Sequence, residues 1–278
     1  MTQAADPLAH LSPAETGLHR ILLRPRMLAV AAIAVLAGAG WLYVGLMLGA
    51  RGGDGALLAA LCRPTFGQSV PSGPWDLALT ALMWAAMVFA MMLPTAGPMV
   101  VTYAEIAEVA AAKGEPVVSP LVLTAGYVAV WLGFAVLATA LQWLLARFAL
   151  LDPGHTAVSA AFSGAVFIAA GAYQFSSLKH ACLTLCQRPF PFFFANWSTA
   201  PRAVFRLGLR QGLYCLGCCW AMMLVMFAVG AMNVVWMAGL GVVMGVEKIT
   251  TTPRFSRVVG AGLVLTGILL VIRVSVQE

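Results

Sequence analysis

Six long runs without a charged residue constrain the fold of this chain more than any other feature of its sequence. They cover residues 27–50, 77–103, 117–146, 155–178, 211–246 and 258–272. A bilayer core about 30 Å thick is crossed by about 20 apolar residues in helical form, so runs of this length predict membrane-spanning helices. The fifth run would extend about 54 Å as a single helix, and we therefore divide it near Asn233. The pattern predicts about seven transmembrane helices.

The composition excludes a water-soluble globular domain. Only 9% of the 278 residues are charged and 62% are hydrophobic, whereas soluble domains carry about 25% charged residues. We therefore predict an all-α, polytopic helical membrane bundle. Its predicted location is multi-pass in the bacterial cytoplasmic (inner) membrane, with the lipid bilayer as its first partner.

The predicted bundle forms one domain. A polar cytoplasmic tail covers residues 1–26 and a single transmembrane domain covers 27–274. Its spans are predicted near residues 27–50, 76–98, 119–146, 156–179, 211–231, 233–247 and 258–274. Pro94 and Pro98 predict a kink or an end of the second helix. Residues 187–205 are predicted to form an aromatic, proline-rich loop at the inner interface, where Pro189 and Pro191 argue against a regular helix.

The basic residues indicate an orientation. Of the 16 lysines and arginines, only Arg51, Arg63, Arg147 and Arg273 fall on one side of the seven-helix arrangement. Because cytoplasmic loops carry the excess of Lys and Arg, the N-terminus is predicted to be cytoplasmic and the C-terminus outside. The net charge is +6, but it sits at the ends of spans and not along one continuous face, so we expect no nucleic-acid partner.

Five of the six cysteines fall in two short groups, at Cys182 with Cys186 and at Cys215 with Cys218 and Cys219. Each group shares one helix face, since three or four residues make about one turn. His180 precedes the first group. Because the fourth span ends and the fifth begins at the inner surface, the two groups are expected to meet there. Thiolate and imidazole ligands suit zinc or Cu(I), although buried cysteines that only pack are the alternative.

Methionines extend this pattern and favour copper over zinc. Met222 and Met226 continue the face of the second cysteine group along the fifth helix. Thioethers are soft ligands that suit Cu(I), whereas zinc gains little from them. The predicted metal ligands are therefore Cys182, Cys186, Cys215, Cys218, Cys219, His180, Met222 and Met226. Methionine as flexible packing material is the alternative for the last two.

Other polar residues in the apolar runs carry weaker hypotheses. Gln142 and Gln174 are expected to form hydrogen bonds between helices. Glu247 and Lys248 are expected to pair with each other, and Cys62 has no evident partner. The sequence has no phosphate-binding loop, so nothing supports ATP-driven pumping, and it indicates no catalytic residue.

Three segments of the chain carry a resemblance to a known family. They are WAAMVFAMMLP at 84–94, YQFSSLKHACLTLCQR at 173–188 and GLYCLGCCWAMM at 212–223. The chain resembles a bacterial family of predicted metal-binding integral membrane proteins of poorly defined function, over about residues 75–248. The resemblance implies a metal site at Cys182, Cys186, Cys215, Cys218 and Cys219.

The favoured hypothesis is an integral membrane protein that handles copper and is not an enzyme. It would either transport copper or deliver it to a partner, such as a small companion protein or a metallochaperone. One alternative is a membrane oxidoreductase in which Cys215 and Cys218 cycle between dithiol and disulfide or hold a redox metal. A second alternative is a scaffold subunit of a membrane complex, whose cysteines only pack. The sequence leaves the oligomeric state open.

Overall fold

Helices make up almost all of the chain that the structure describes. The computed structural model describes residues 25–49, 73–148, 160–229, 234–250 and 252–277. Within those ranges there is no strand, which confirms the all-α prediction. The helices are α1 Pro25–Gly49, α2 Pro74–Ala112, α3 Pro120–Arg147, α4 Ala160–Tyr173, α5 Ser177–Gln187, α6 Pro189–Ala195, α7 Pro201–Val229, α8 Val234–Ile249 and α9 Pro253–Gln277.

Most of these helices begin at a proline, for a local reason. The first backbone amides of a helix have no partner within it, so a residue without an N–H loses nothing there, and its fixed φ suits the first turn. Serine side chains cap the starts of α3 and α5. The Ser119 hydroxyl accepts from the amide of Leu121, and the Ser176 hydroxyl accepts from the amide of Lys179. The sequence thus marks its helix starts by proline and serine.

Five helices, α1, α2, α3, α7 and α9, are long and apolar enough to cross a membrane. The pair α4 and α5 passes the same test only together, and it is bent by 63°. Helix α8 has 16 residues, which is short for a crossing of about 20. Helix α2, with 39 residues, would span about 58 Å and so extends beyond any bilayer core. The figure of seven crossings stays a prediction.

Close backbone approaches fix the order of the helices in the bundle. Helix α1 packs on α2, α2 on α3, α3 on α7, and α4 on both α7 and α9. Where α3 crosses α7, a Cβ atom on Gly126 would strike the carbonyl oxygen of Phe205 and lie 3.1 Å from the carbonyl carbon of Gly208. This crossing therefore has no room for a side chain, as is typical of tightly packed helices with small residues.

Helix α2 continues through Pro94 and Pro98 to Ala112, so neither proline ends it. Pro94 has no N–H and leaves the carbonyl of Ala90 without its helical donor. The indole Nε1 of Trp41 on α1 donates to this carbonyl at 2.9 Å. The bond that the proline removes within α2 is thus replaced by one between α1 and α2.

Two predictions about the segments around the cysteines were wrong. Residues 189–195, placed in a non-helical loop, form α6. Pro189 and Pro191 lie in its first turn, where their missing amides have no helical acceptor. The fourth span, predicted as continuous over 156–179, breaks after Tyr173 and restarts at Ser177, because Ser176 adopts an extended conformation and caps α5. Cys62 lies outside the described residues.

The Trp41 bond predicts a dependence on Pro94. Trp41→Phe leaves the Ala90 carbonyl without a donor, and we expect the free energy of unfolding in detergent to fall by about 1–3 kcal/mol. In a Pro94→Ala background the restored amide can donate to that carbonyl, so the same substitution should have a smaller effect. Equal losses of stability in the two backgrounds would contradict this account of the α1–α2 contact.

Candidate metal centre

Three cysteines of α7 bring their sulfur atoms together inside the bundle, because the second and third lie three and four residues after the first, about one helical turn away. The Sγ atoms of Cys215 and Cys219 lie 3.8 Å apart, and those of Cys218 and Cys219 lie 3.5 Å apart. All three sulfurs lie within 4.8 Å of one another. The side chains are between 1% and 3% exposed. We call these three residues the cysteine triad.

The triad is held by the turn of α7 that carries it. The thiols of Cys218 and Cys219 both donate to the carbonyl of Cys215, at 3.1 Å and 2.7 Å. From α3, the hydroxyl of Tyr127 lies 3.0 Å from the Cys215 sulfur and 3.2 Å from the carbonyl of Met92. Tyr127 follows Gly126, so the close α3–α7 crossing brings its side chain to the triad.

A lysine from α8 also contacts the triad. The Lys248 ammonium donates to the Cys215 sulfur at 3.0 Å and to the Thr95 hydroxyl at 2.6 Å. The expectation that Glu247 and Lys248 pair with each other was wrong. Adjacent residues on a helix point about 100° apart, and here Lys248 faces α7 while Glu247 faces α5. The positive charge beside the triad therefore has a thiol as its neighbour, not a carboxylate.

Glu247 instead forms a buried ion pair with Lys179 of α5. The ammonium lies 2.8 Å and 2.9 Å from the two carboxylate oxygens, and it also donates to the side chain of Gln174. Ser256 of α9 donates to the same carboxylate at 2.8 Å. Buried charges need such partners because apolar surroundings do not solvate them. The network ties α5, α8 and α9 together.

The first cysteine group lies on α5, which packs against α7. The thiol of Cys186 interacts with that of Cys218. Cys182 lies against Gly217, since a Cβ atom added to that glycine would sit 2.7 Å from the Cys182 sulfur. Both thiols are half-buried and free. The structure thus brings Cys186 to the triad, and it places Cys182 beside the same stretch of α7.

The other three predicted ligands, Met222, Met226 and His180, lie outside the triad. Met222 and Met226 are buried on α7, at helical spacing from Cys218 and Cys219. His180 is not part of any group of three metal-ligating side chains found in the described ranges. Its Nδ1 lies 2.9 Å from the Ser176 carbonyl oxygen one turn earlier. Gln142 does bond between helices as expected, accepting from the indole of Trp84 at 2.7 Å.

A half-open cavity of about 580 Å³ lies between α1, α2, α5 and α8, next to residues that contact the triad. Two residues line it and also contact the triad, Cys186 and Lys248. Thioethers of Met91 and Met99 form part of its wall. On α8 the wall includes Gly241 and Gly245, which leave space where side chains would otherwise stand.

Sequence reasoning missed Tyr127, Thr95 and the direction of Lys248. A lysine at the end of an apolar run is itself a signal, because charged groups near membrane helices are rare and need partners. Tyr127 and Thr95 gave no such signal, since their roles depend on which helices cross and where. The donor set is nevertheless chemically coherent. Clustered thiols, with thioethers nearby, suit a soft metal ion.

Comparison with known proteins agrees with this chemistry. Residues 81–270, more than half of the chain, match the PpoB2 family, which is described as a copper chaperone. The chain belongs to this family. Searches of curated proteins and of solved structures gave no significant match. Family membership together with the cysteine triad supports the handling of a metal, and copper in particular.

The two ion pairs found within the described ranges predict different effects on stability. Lys179→Met leaves Glu247 buried without its cation, and we expect a loss of about 3–5 kcal/mol in the free energy of unfolding. Arg26→Met is the control, since Arg26 pairs with Glu105 at 3.2 Å and both side chains are about half exposed. An exposed pair contributes only about 0–1 kcal/mol. Denaturation in detergent measures both, and similar losses would contradict the role given to Lys179.

Proposed function

We propose that this chain is an integral membrane copper chaperone that holds Cu(I) on the cysteine triad. In this proposal the copper is cargo that passes to a partner, a small companion protein or a metallochaperone. The observation that carries the proposal is the convergence of three buried sulfurs within 4.8 Å of one another. The description of the family as a copper chaperone supports the metal and the mode of action.

Membrane insertion is supported by the outer faces of the long helices. Large apolar side chains point outward on several of them, with Val35 on α1, Leu137 on α3 and Val258 on α9 each more than 60% exposed. Contiguous apolar surface on this scale is unfavourable in water and favourable in lipid. We place the N-terminus in the cytoplasm and the bundle in the inner membrane, because the basic residues favour that orientation.

The donor types around the triad favour Cu(I). Thiols bind metals as thiolates, and Cu(I) on two of the three thiolates carries one negative charge, which the ammonium of Lys248 beside Cys215 balances. Met222 and Met226 follow the triad on α7. Thioethers are soft ligands that suit Cu(I), whereas zinc gains little from them.

Packing beyond the triad favours delivery over transport. Along α7 after Cys219, the side chains of Met222, Met223 and Met226 are at most 1% exposed. The cavity instead lies next to Cys186 and Lys248, which contact the triad from α5 and α8. Copper would therefore arrive and leave by the same side of the triad, as delivery to a partner requires, because the described helices close tightly behind it.

Replacing the triad tests the proposal. Purified full-length protein in detergent should take Cu(I) from bathocuproine disulfonate under anaerobic conditions. The triple variant Cys215→Ser, Cys218→Ser, Cys219→Ser should bind more weakly by more than about a hundredfold, since loss of outer partners alone weakens metal sites 10–100-fold. Ala221→Ser is the matched control, because it adds a buried hydroxyl to the same helix and leaves every thiol in place.

Two results would contradict the proposal. If the triple variant competed for Cu(I) as well as the wild type, the triad would not be the copper site. If proteoliposomes containing the wild type accumulated copper in their lumen, the protein would be a transporter and the delivery part would be wrong.

A further inference from the structure

The triad cannot meet a copper carrier directly. Cys215, Cys218 and Cys219 are at most 3% exposed, and the three methionines that follow them on α7 are at most 1% exposed. Copper ions do not travel free of ligands through apolar surroundings, because the desolvation of a charge is unfavourable. Exchange of copper therefore needs a ligand that both the triad and an outside carrier can reach.

Two side chains that line the cavity also contact the triad, those of Cys186 and Lys248. Lys248 is a cation already bonded to Thr95 and Cys215, and a cation does not bind Cu(I). Cys186 is half-buried, lies on the cavity wall and interacts with Cys218. Of these two side chains, Cys186 is therefore the one that can bind Cu(I).

We infer that the cavity is the route by which copper reaches the triad and that Cys186 is the exchange ligand on this route. The thiol takes Cu(I) from a sulfur-ligated carrier and passes it to Cys218. Thioethers of Met91 and Met99 on the cavity wall add soft contacts along the way. This inference rests on the proposed function. It assigns Cys186 a role in the rate at which copper enters and leaves the site, whereas the triad holds the copper.

The exchange proceeds in three ligand substitutions, starting from a carrier that holds Cu(I) by two sulfurs. In the first, a Cu–S bond to Cys186 forms, the thiol proton passes to solvent in the cavity, and one carrier sulfur leaves and takes up a proton. In the second, Cys218 forms a Cu–S bond and releases its proton, and the other carrier sulfur leaves and takes up one. In the third, a second thiol of the triad forms a Cu–S bond and releases its proton, while Cys186 leaves and regains one. Copper stays Cu(I) throughout, so the steps need neither an oxidant nor a reductant. Release to a partner is the reverse sequence.

The rate of copper loading tests this role separately from binding. The full chain in detergent is mixed with the Cu(I) complex of bicinchoninate, and loss of the chelator absorbance is followed by stopped flow. Cys186→Ser should load more slowly than the wild type by about tenfold or more, with the same amount of copper bound at the end. Thr184→Ala, on the exposed face of the same helix, should load at the wild-type rate.

A second variant tests the route without changing any sulfur. A Cβ atom at Gly241 would lie 3.7–3.9 Å from atoms of Met91, which is ordinary contact, so the rest of a larger side chain must enter the cavity. Gly241→Leu should therefore slow loading by about tenfold as well, and it should leave the final amount of copper unchanged.

The outcomes separate this inference from the proposed function. If Cys186→Ser and Gly241→Leu both load at the wild-type rate, the route is wrong even though the triad holds copper. If Cys186→Ser lowers the final amount of copper bound, Cys186 is a permanent ligand and the exchange role is wrong. If the wild type takes no copper from the chelator, the proposed function fails and this inference fails with it.

Discussion

Polar groups inside an apolar helical bundle have to find their partners within the protein, and this constraint shapes the region around the triad. The ammonium of Lys179 donates to the carboxylate of Glu247 and to the side chain of Gln174, and the hydroxyl of Ser256 donates to the same carboxylate. Lys248 meets it differently, through the Thr95 hydroxyl and the Cys215 thiol. A sulfur therefore stands where a buried lysine usually has a carboxylate. Lys248 thus links the packing of α8 against α2 and α7 to the charge of the proposed copper site.

Elements that depend on spacing along one helix could be predicted from the sequence. The convergence of Cys215, Cys218 and Cys219 follows from the period of 3.6 residues alone, and the meeting of Cys186 with them follows from the order of two spans. Elements that depend on helix rotation could not. Whether Glu247 or Lys248 faces the triad depends on how α8 packs against α5 and α7. The short helix α6 was missed because prolines were taken as helix breakers, although in a first turn they are compatible with a helix.

The proposed copper route is lined in part by prolines and glycines. Pro94 and Pro98 have no backbone N–H, Gly241 and Gly245 have no side chain, and all four residues line the cavity. Trp41 restores the hydrogen bond that Pro94 removes, so the wall of the cavity is stabilised by a contact between α1 and α2. Around this opening the remainder of the core is closely packed. A soft-metal site that is both buried and reachable from one side is what delivery of Cu(I) to a partner requires.

The central claim is that copper is bound as Cu(I) by cysteine sulfur. Copper K-edge X-ray absorption of the loaded full-length protein tests it most directly, because the edge reports the oxidation state and the extended fine structure reports the ligand atoms. The account predicts a Cu(I) edge and a first coordination shell of sulfur alone. A Cu(II) edge, or a first shell dominated by nitrogen or oxygen, would contradict it.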